Sequence, residues 1–273
     1  MIKSLYFTCI PKHIYLKISF EDIGNIFFNH IKKKYKYFIV KKVFNNNSDV
    51  IDVNVVSNKK IKKDNGIFYV RKDFGVNINL FQKKVDCFVC ENIYSFDSML
   101  RIIFGAVLFN KNGLLLHSSG VVYRNKGFLF VGESGKGKST LIKNSFSEKI
   151  KILSDELVPV IYIKKNFFTY KSPFWGEIQP ENKIKQVVVK DKMFEIKSIF
   201  ILNRHTKNCV IKKITLDDSI KKILRNNLCL FKYSLLVDKI LSTVFKVVSK
   251  IKIFRLDFNK QFVINKNFLE NEI

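Results

Sequence analysis

The sequence is strongly basic but contains little arginine. Of its 49 lysine and arginine residues only six are Arg, and the formal net charge at pH 7 is +26. Proteins that recognise duplex DNA usually rely on Arg for bidentate contacts to base edges. The Lys residues are also spread over the whole chain and do not form one tail or one helix face. We therefore interpret the charge as a solvated basic surface, and nucleic acid is not an expected partner.

Cysteine is also scarce, and the number of cysteines is odd. The five cysteines are scattered over apolar stretches, which is typical of reduced, buried thiols in a cytosolic protein. The segment CFVC at 87–90 has two cysteines at metal-ligand spacing, but no second Cys pair or His pair accompanies it. Phe88 and Val89 favour a strand. We interpret the segment as sheet core and expect no structural metal.

Long apolar runs are absent as well. The N-terminal twenty residues have no long apolar region followed by a cleavage site of small residues, so we expect no signal peptide. No window reaches the roughly 18 to 20 apolar residues that a membrane-spanning helix needs. The most apolar helical segment, 234–248, is interrupted by Asp238, Lys239 and Lys246, which favours an amphipathic helix that packs on a sheet. We expect a cytoplasmic protein without a membrane span, and a homo-oligomer remains open.

The spacing of apolar residues changes near residue 95, which indicates two domains. Residues before this point are rich in β-forming residues, whereas 95–113 has a helical period, with Ser95 or Asp97 as a candidate N-cap. A chain of 273 residues is long enough for either one large or two small domains. We predict a smaller β-rich domain over 1–94 and an α/β domain over 95–273.

Both domains have predicted elements. The strands predicted in the first domain are 14–20, 35–43, 50–56, 66–72 and 76–81. Predicted in the second domain are strands at 114–123, 127–132, 194–204, 208–215 and 252–258, two more within 149–163, and helices at 95–113, 216–226, 230–249 and after residue 138. This alternation of strands and helices indicates the α/β class.

A glycine-rich stretch, GESGKGKST at 132–140, has the spacing of a phosphate-binding loop, with Gly, four residues, Gly, Lys and Ser. It follows the apolar strand segment FLFV and precedes a helix that begins at about Lys138. In such loops the backbone N–H groups and the positive end of the helix face the phosphates. Lys138 would reach the β and γ phosphates, and Ser139 would hold Mg²⁺. The predicted ATP-binding residues are Gly132, Glu133, Ser134, Gly135, Lys136, Gly137, Lys138, Ser139 and Thr140.

An acidic pair, Asp155 and Glu156, follows soon after the loop, at the end of a predicted strand. If that strand returns beside the loop strand, it delivers both carboxylates to the Mg²⁺ and the γ-phosphate. At a strand end the two side chains can have different roles, one toward the metal and one toward the nucleophile. The chain has no LSGGQ segment, which distinguishes it from transporter ATPases.

With His117 on the strand before the loop, the set of residues resembles a known family. The segment GLLLHSSGVVYRNKGFLFVGESGKGKSTLIK, followed by KILSDELVPV, resembles the catalytic core of the HPr serine kinase/phosphorylase family. It is similar in particular to the HPr-kinase-related proteins of bacterial biosynthetic clusters. The resemblance covers roughly residues 95–260. It implies a P-loop core with a strongly twisted mixed sheet, shared with phosphoenolpyruvate carboxykinases. It also implies an ATP- and Mg²⁺-dependent kinase that acts on a hydroxyl, first of all a Ser of a protein or peptide.

The resemblance also implies roles for individual residues. Asp155 takes the place of the general base, and His117 takes the place of the His that assists it. Glu156 takes the place of the second acidic residue near the metal. The segment KSPFWGEIQPE makes Glu177 a further candidate near the metal, and KIFRLDF makes Arg255 a candidate phosphate contact.

One segment of the true HPr kinase/phosphorylases is missing. The sequence Glu-Ile-Arg-Gly-Leu-Gly, found downstream of the acidic pair in that family, is absent from this chain. The phosphorylase reaction and recognition of HPr itself are therefore not implied. Two alternatives stay open, a kinase of a small-molecule hydroxyl and a non-catalytic ATP-binding regulator.

Overall fold

The chain forms two compact units, Met1–Val107 and Leu108–Ile273, each built around a mixed β-sheet. The computed structural model describes residues 2–40, 48–57, 61–63, 66–145, 149–178, 192–204, 209–228 and 234–271, with six helices among them. The α/β class is confirmed. The division between the units falls near the end of a helix, whereas the sequence predicted the boundary at 94/95, close to the start of that helix.

The first unit contains a seven-stranded sheet in the order β3-β1-β2-β4-β7-β6-β5. Its elements are β1 (Lys3–Ile10), β2 (Ile14–Glu21), α1 (Asn25–Lys34), β3 (Ile39–Val40), β4 (Asp49–Ser57), β5 (Ile67–Val70), β6 (Phe74–Asn79), β7 (Lys84–Val89) and most of α2 (Ile93–Asn110). The pairs β2–β4 and β4–β7 are parallel, and the other pairs are antiparallel. The predicted β-rich character of this region is confirmed.

The helix α1 and the strand β1 lie in stretches where the sequence analysis predicted no element. Phe27 and Ile31, four residues apart, are buried on one face of α1. Three lysines in its last turn interact favourably with the negative end of the helix dipole. Because the helix ends at Lys34, the predicted strand 35–43 is reduced to Ile39–Val40, and residues 41–43 lie outside the described part of the chain.

The helix α2 begins two residues earlier than expected, and its predicted N-caps are wrong. The Asn92 side chain accepts a hydrogen bond from the Tyr94 N–H at 2.8 Å, so Asn92 stands at the start of the helix. Ser95 instead donates from its hydroxyl to the Asp73 carboxylate at 2.7 Å. Asp97 lies inside the helix, where its buried carboxylate accepts hydrogen bonds from neighbouring side chains, those of Lys34, Tyr35 and Arg101.

The most apolar described helix is α2, and not the segment 234–248 that the sequence analysis singled out. It alone among the described helices is long and apolar enough to cross a membrane by length and composition, and 67% of it is buried inside the protein. Such burial is typical of a core helix. The described residues therefore agree with the expectation that the chain has no membrane span.

Residues 87–89 of the CFVC segment belong to the sheet, as predicted, whereas Cys90 lies beyond the strand and is only partly buried. Cys87 is fully buried in β7, and burial raises the pKa of its thiol well above the ordinary value. Cys90 follows the end of the strand as a free thiol. A buried, protonated thiol is inert, which fits an apolar core role.

The second unit contains an eight-stranded sheet and four helices among its described residues. The strands are β8 (Gly113–Tyr123), β9 (Lys126–Val131), β10 (Lys151–Ser154), β11 (Leu157–Ile163), β12 (Asn166–Tyr170), β13 (Met193–Arg204), β14 (Val210–Lys213) and β15 (Lys252–Phe258). The helices are α3 (Lys138–Asn144), α4 (Leu216–Arg225), α5 (Ser234–Lys250) and α6 (Lys266–Glu270). The elements predicted here are present, and β12 and α6 are additional.

Five strands of this sheet pair in a closed ring, because β8 pairs with β9, β9 with β13, β13 with β12, β12 with β11 and β11 with β8. Within the sheet, β13 runs parallel to both β9 and β15. The carboxyl ends of these three strands therefore meet at one edge, where ligands of open α/β sheets commonly bind.

The strand β8 approaches the loop and the acidic pair from its two edges. On one edge it pairs with β9, and the His117 carbonyl accepts a hydrogen bond from the Gly132 N–H at 3.4 Å. On the other edge it pairs with β10 and β11, and the Ser118 N–H donates to the Glu156 carbonyl at 3.0 Å. The strand β10, which leads into the acidic pair, does not lie directly beside the loop strand β9, because β8 lies between them.

Candidate phosphate-binding site

The glycine-rich loop connects β9 to α3, as the sequence predicted. Gly135 and Gly137 have φ angles of 78° and 89°, in the left-handed region that favours glycine. Gly137 is also the N-cap of α3, and a Cβ atom there would lie 3.4 Å from the Phe258 ring. Both the backbone conformation and the close aromatic ring therefore favour glycine at this position.

Lys138 is the first residue of α3 and is buried. Its Nζ donates hydrogen bonds to the backbone carbonyls of Gly132 and Glu133, at 2.6 and 3.0 Å. Burial lowers the pKa of Lys138 from 10.5 to about 8, although the nearby charges of Glu156, Asp155 and Glu133 act in the opposite direction. The ammonium group is thus held at the loop, near these three carboxylates.

The Asp155 carboxylate is almost fully buried and accepts three hydrogen bonds. The hydroxyl of Ser139 donates at 3.1 Å, and the backbone N–H groups of Gly176 and Ile178 donate at 2.9 and 3.1 Å. An ionised carboxylate has about four acceptor sites. Asp155 therefore links the start of α3 to the segment 176–178, and the described residues occupy about three of its acceptor sites.

The segment 171–178 is an ordered turn that packs against the end of β10. Ser154 donates from its hydroxyl to the Phe174 carbonyl at 2.6 Å, and the Trp175 indole N–H donates to the Ser172 carbonyl at 2.9 Å. A Cβ atom at Gly176 would lie 3.2 Å from the Asp155 carboxylate, so glycine permits the close approach. The predicted structured turn is present, and its residues 179–181 lie outside the described part of the chain.

His117 and Glu156 line the same cleft as Lys138 and Asp155. The strand β8 fixes their positions. Its backbone is hydrogen-bonded to the Glu156 backbone along one edge and to the residues that end α4 along the other. The His117 N–H donates to the Asn226 carbonyl at 2.6 Å, and the Asn227 side chain accepts from the Leu115 N–H at 3.1 Å. Tertiary pairing thus brings together the three residues that the resemblance singled out.

Two further acidic residues of the prediction have basic partners. Glu177 lines the cleft but is exposed, and its carboxylate forms an ion pair with Lys143 at 2.8 Å. Glu133 belongs to the loop, and its carboxylate lies 3.4 Å from Arg225, while its carbonyl accepts from Lys138. Of the two carboxylates, only that of Glu177 is part of the cleft wall.

Arg255 does not line the cleft. Its Nε donates to the Asp257 carboxylate at 2.7 Å, and Asn203 and Lys212 contact the same carboxylate. Burial raises the pKa of Asp257, but these three side chains outweigh it and lower that pKa to about 2. The guanidinium of Arg255 is therefore engaged in a charge cluster on the sheet, and the structure gives no support to the predicted phosphate contact.

The cleft has a volume of about 400 Å³ and includes residues that the sequence analysis missed. Arg204 is the last residue of β13, Phe258 is the last residue of β15, and Lys260 and Phe262 follow it. Their position at the carboxyl ends of parallel strands could have indicated them, had the strand order been known. Among the loop residues, the cleft is lined by Ser134, Gly135, Gly137, Lys138, Ser139 and Thr140.

The side chains around Ser139 suit a hard cation. Mg²⁺ prefers oxygen ligands and is usually bound by one or two carboxylates, substrate phosphates and water. The Ser139 hydroxyl and the Asp155 carboxylate stand together, with Glu156 in the same cleft. The described residues include no group of three or more His, Cys, Asp or Glu side chains that could hold a metal by themselves. The donors present fit a Mg²⁺ ion whose remaining ligands come from phosphate and water.

The comparison with known proteins adds no family assignment. Neither the scan of protein-family models nor the search of curated proteins gives a match to this chain. The resemblance to the HPr serine kinases therefore stays a prediction, and function has to be argued from the site.

Proposed function

We propose that this protein is an ATP-dependent phosphotransferase of the HPr-serine-kinase type, which transfers the γ-phosphate to a hydroxyl. The observation that carries the proposal is the contact between the Ser139 hydroxyl and the Asp155 carboxylate at 3.1 Å, at the N-terminus of α3. A glycine-rich loop by itself supports only nucleotide binding. A buried carboxylate bonded to the loop Ser supports a site that also acts on the phosphate.

The loop supplies the phosphate-binding part of the mechanism. The backbone N–H groups of the loop and the positive end of α3 attract the phosphate chain. Lys138 adds a positive charge, and its hydrogen bonds to loop carbonyls would be exchanged for bonds to phosphate oxygens. Phosphoryl transfer depends mainly on positioning and on stabilising charge, and these groups provide both.

The acidic residues supply the metal-binding and proton-accepting part of the proposed mechanism. When bound, Mg²⁺ neutralises charge on the β and γ phosphates. Ser139 and Asp155 would hold it, with Glu156 close by. The sequence-based assignment gives Asp155 the role of general base, and the described residues leave about one of its acceptor sites for the substrate hydroxyl. Its contact with Ser139 equally supports a role beside the metal, and Glu156 would then accept the proton of the acceptor hydroxyl. His117, in the same cleft, would orient or tune either carboxylate.

The proposed acceptor is a Ser hydroxyl of a protein or peptide, in the cytoplasm, and this rests on the family resemblance alone. A small-molecule hydroxyl is the alternative with the same chemistry. A non-catalytic ATP-binding regulator is a second candidate, because the three hydrogen bonds of Asp155 are also what a purely structural carboxylate would make.

The test is transfer of labelled γ-phosphate from ATP by the wild-type protein, with Mg²⁺, to Ser-containing peptides and to a panel of small hydroxyl compounds. Lys138→Ala is the inactive control, and Lys246→Ala, an exposed lysine on α5 that does not line the cleft, is the matched control. We expect transfer by the wild type and by Lys246→Ala only. ATP binding without transfer to any acceptor would favour the regulator, and absence of ATP binding would refute the assignment of the loop.

A further inference from the structure

The cleft has two chemically different flanks, which contact adjacent faces of the helix α3. Ser139 and Lys143, one helical turn apart, contact Asp155 and Glu177, which form the acidic flank. The next residues along the helix, Thr140 and Asn144, are likewise one turn apart and lie about 100° around the helix axis from the first pair. This second face of α3 points toward the segment 258–264.

The segment 258–264 is fixed along α3 and carries two aromatic rings. The Asn144 side-chain amide donates to the Lys260 carbonyl at 3.1 Å, and the Ile264 N–H donates to the Ser145 hydroxyl at 2.8 Å. Phe258 is buried against Gly137, whereas Phe262 is partly buried and lines the cleft. We call the cleft-lining residues Phe258, Asn259, Lys260 and Phe262 the aromatic flank.

From this arrangement we propose that the aromatic flank is the nucleobase subsite, and that it holds the base by its face, against the Phe262 ring. The proposal rests on the proposed function, since it assumes that the loop binds a nucleoside triphosphate. The terminal phosphate and the metal belong on the acidic flank, with Ser139 and Asp155. A phosphate chain that runs from there past the N-terminus of α3 then places its nucleoside on the other flank.

The polar side chains of the aromatic flank are those of Asn259 and Lys260. The Asn259 side-chain carbonyl accepts a hydrogen bond from the Gln261 N–H at 3.0 Å, and its backbone carbonyl accepts from the Phe262 N–H at 3.3 Å. Each of the two Asn259 oxygens thus already accepts one hydrogen bond within its own turn, which leaves the ring of Phe262 as the main contact offered to a base. Stacking on an aromatic ring accepts any base, because every base has a π-face. We therefore expect little discrimination between ATP and GTP.

The experiment compares three ligands, ATP, GTP and inorganic tripolyphosphate, by calorimetry with Mg²⁺ present. Tripolyphosphate has the phosphate chain but no base. In the wild type we expect ATP and GTP to bind within about tenfold of each other. Phe262→Ala should weaken ATP and GTP alike, by roughly 5- to 150-fold, the factor that corresponds to loss of one base–aromatic stack. Tripolyphosphate should bind Phe262→Ala and the wild type equally.

Two further variants separate stacking from folding. Phe262→Leu keeps an apolar side chain but has no ring face, so it should also lose ATP and GTP affinity while retaining tripolyphosphate. Phe245→Ala, an exposed Phe on α5 outside the cleft, should bind all three ligands as the wild type does.

Each unexpected binding result would contradict a different part of the proposal. If the wild type binds neither ATP nor tripolyphosphate, the proposed function itself fails. If the wild type binds both and Phe262→Ala binds ATP undiminished, the nucleobase subsite is refuted while the phosphate loop stands. If Phe262→Leu loses affinity for ATP and for tripolyphosphate equally, the ring has a structural role. If the wild type prefers one purine nucleotide by more than about a hundredfold, binding by the base face alone is refuted.

Discussion

At the scale of single residues, Lys138 and Asp155 have opposite environments although both are buried. Among the described residues Lys138 donates to two backbone carbonyls, which are neutral, so desolvation dominates and lowers its pKa to about 8. Asp155 accepts from one hydroxyl and two backbone N–H groups, which hold its carboxylate in place.

The lowered pKa of Lys138 predicts a pH dependence of ATP binding. Above about pH 8 the free protein carries a neutral amine at this position, and the attraction for phosphate is lost. We expect ATP affinity to be steady below pH 8 and to fall above it, by up to about tenfold per pH unit. Calorimetry between pH 7 and 9.5 measures this. Lys138→Ala should bind weakly with no such step, and a wild-type affinity that stays constant over this range would contradict the prediction.

The lowered pKa of Lys138 also makes the stability of the fold depend on pH, in the opposite direction to ATP binding. The folded pKa lies below the ordinary lysine value of 10.5, so the unfolded chain binds more protons between about pH 8 and 10.5. The contribution of Lys138 to stability therefore increases as the pH rises through this window. ATP binding and stability of the free protein thus depend on pH in opposite directions at this residue.

Replacement of the two carboxylates tests which of them is the base. Asp155→Asn and Glu156→Gln each remove a charge and keep the size of the side chain. Loss of the general base typically lowers the rate by about 10²–10⁴ with ATP binding retained. Loss of a carboxylate beside the metal should instead raise the Mg²⁺ concentration needed for half-maximal transfer.

Transfer rate and Mg²⁺ dependence, measured for both variants, therefore assign the roles. The sequence-based assignment expects the rate effect in Asp155→Asn and the Mg²⁺ effect in Glu156→Gln. The reverse assignment, which the Ser139–Asp155 contact also supports, expects the Mg²⁺ effect in Asp155→Asn and the rate effect in Glu156→Gln. Transfer at the wild-type rate and Mg²⁺ requirement in both variants would contradict the proposed mechanism.

At the scale of elements, the helix α4 positions the strand that carries His117. The Thr215 side chain caps the helix by accepting from the Asp218 N–H at 3.2 Å, and Asp217 and Asp218 lie in its first turn. The residues after the helix then bind β8 through the Asn226 carbonyl and the Asn227 side chain. A capping Thr thus contributes to the position of a cleft residue on another element.

Loss of this cap should have a measurable effect on stability. We expect Thr215→Ala to lower the free energy of unfolding by about 1 kcal/mol, the usual value for loss of an N-cap hydroxyl. Trp175, the single tryptophan, belongs to the second unit, so its fluorescence during urea unfolding reports on that unit. Thr215→Ser keeps the capping oxygen and should remain close to the wild type. A loss of the same size in Thr215→Ser would show that the hydroxyl is not the cause.

At the scale of the whole molecule, every residue that lines the cleft belongs to the second unit. The first unit has its own sheet and its own buried core, and it contributes no residue to the cleft as described. The proposed chemistry therefore requires only residues after 107. The cleft residues do not determine which of the two units contacts an acceptor protein.

Removal of Mg²⁺ should stop phosphate transfer without unfolding the protein. The described residues contain no cluster that could hold a structural metal, whereas the proposed chemistry needs Mg²⁺ with the nucleotide. With excess EDTA we expect no transfer and an unchanged circular dichroism spectrum, and added Mg²⁺ should restore transfer. Loss of the folded spectrum on chelation would contradict this and would direct attention back to the cysteines.

Much of this architecture could be predicted from local sequence. The pattern of glycines, Lys138 and Ser139 defines a strand, loop and helix that are all present, because local backbone geometry requires those residue types. The turn between β8 and β9 is equally local, since Arg124 and Asn125 take the positive φ angles of a tight hairpin. Apolar spacing also predicted the α/β class and the elements of the second unit.

Strand order could not be predicted, because it depends on contacts between residues far apart in the chain. Neighbours along the sequence do not reveal that β8 lies between the loop strand and the acidic strand, or that β13 and β15 end beside the loop. For the same reason Phe262 was missed and Arg255 was misplaced: one lies beyond a strand end at the cleft, and the other pairs with Asp257 on the sheet. The sequence alone thus determined the phosphate loop and the fold class, and tertiary structure decided which side chains surround the loop, because only the pairing of distant strands brings them to one edge.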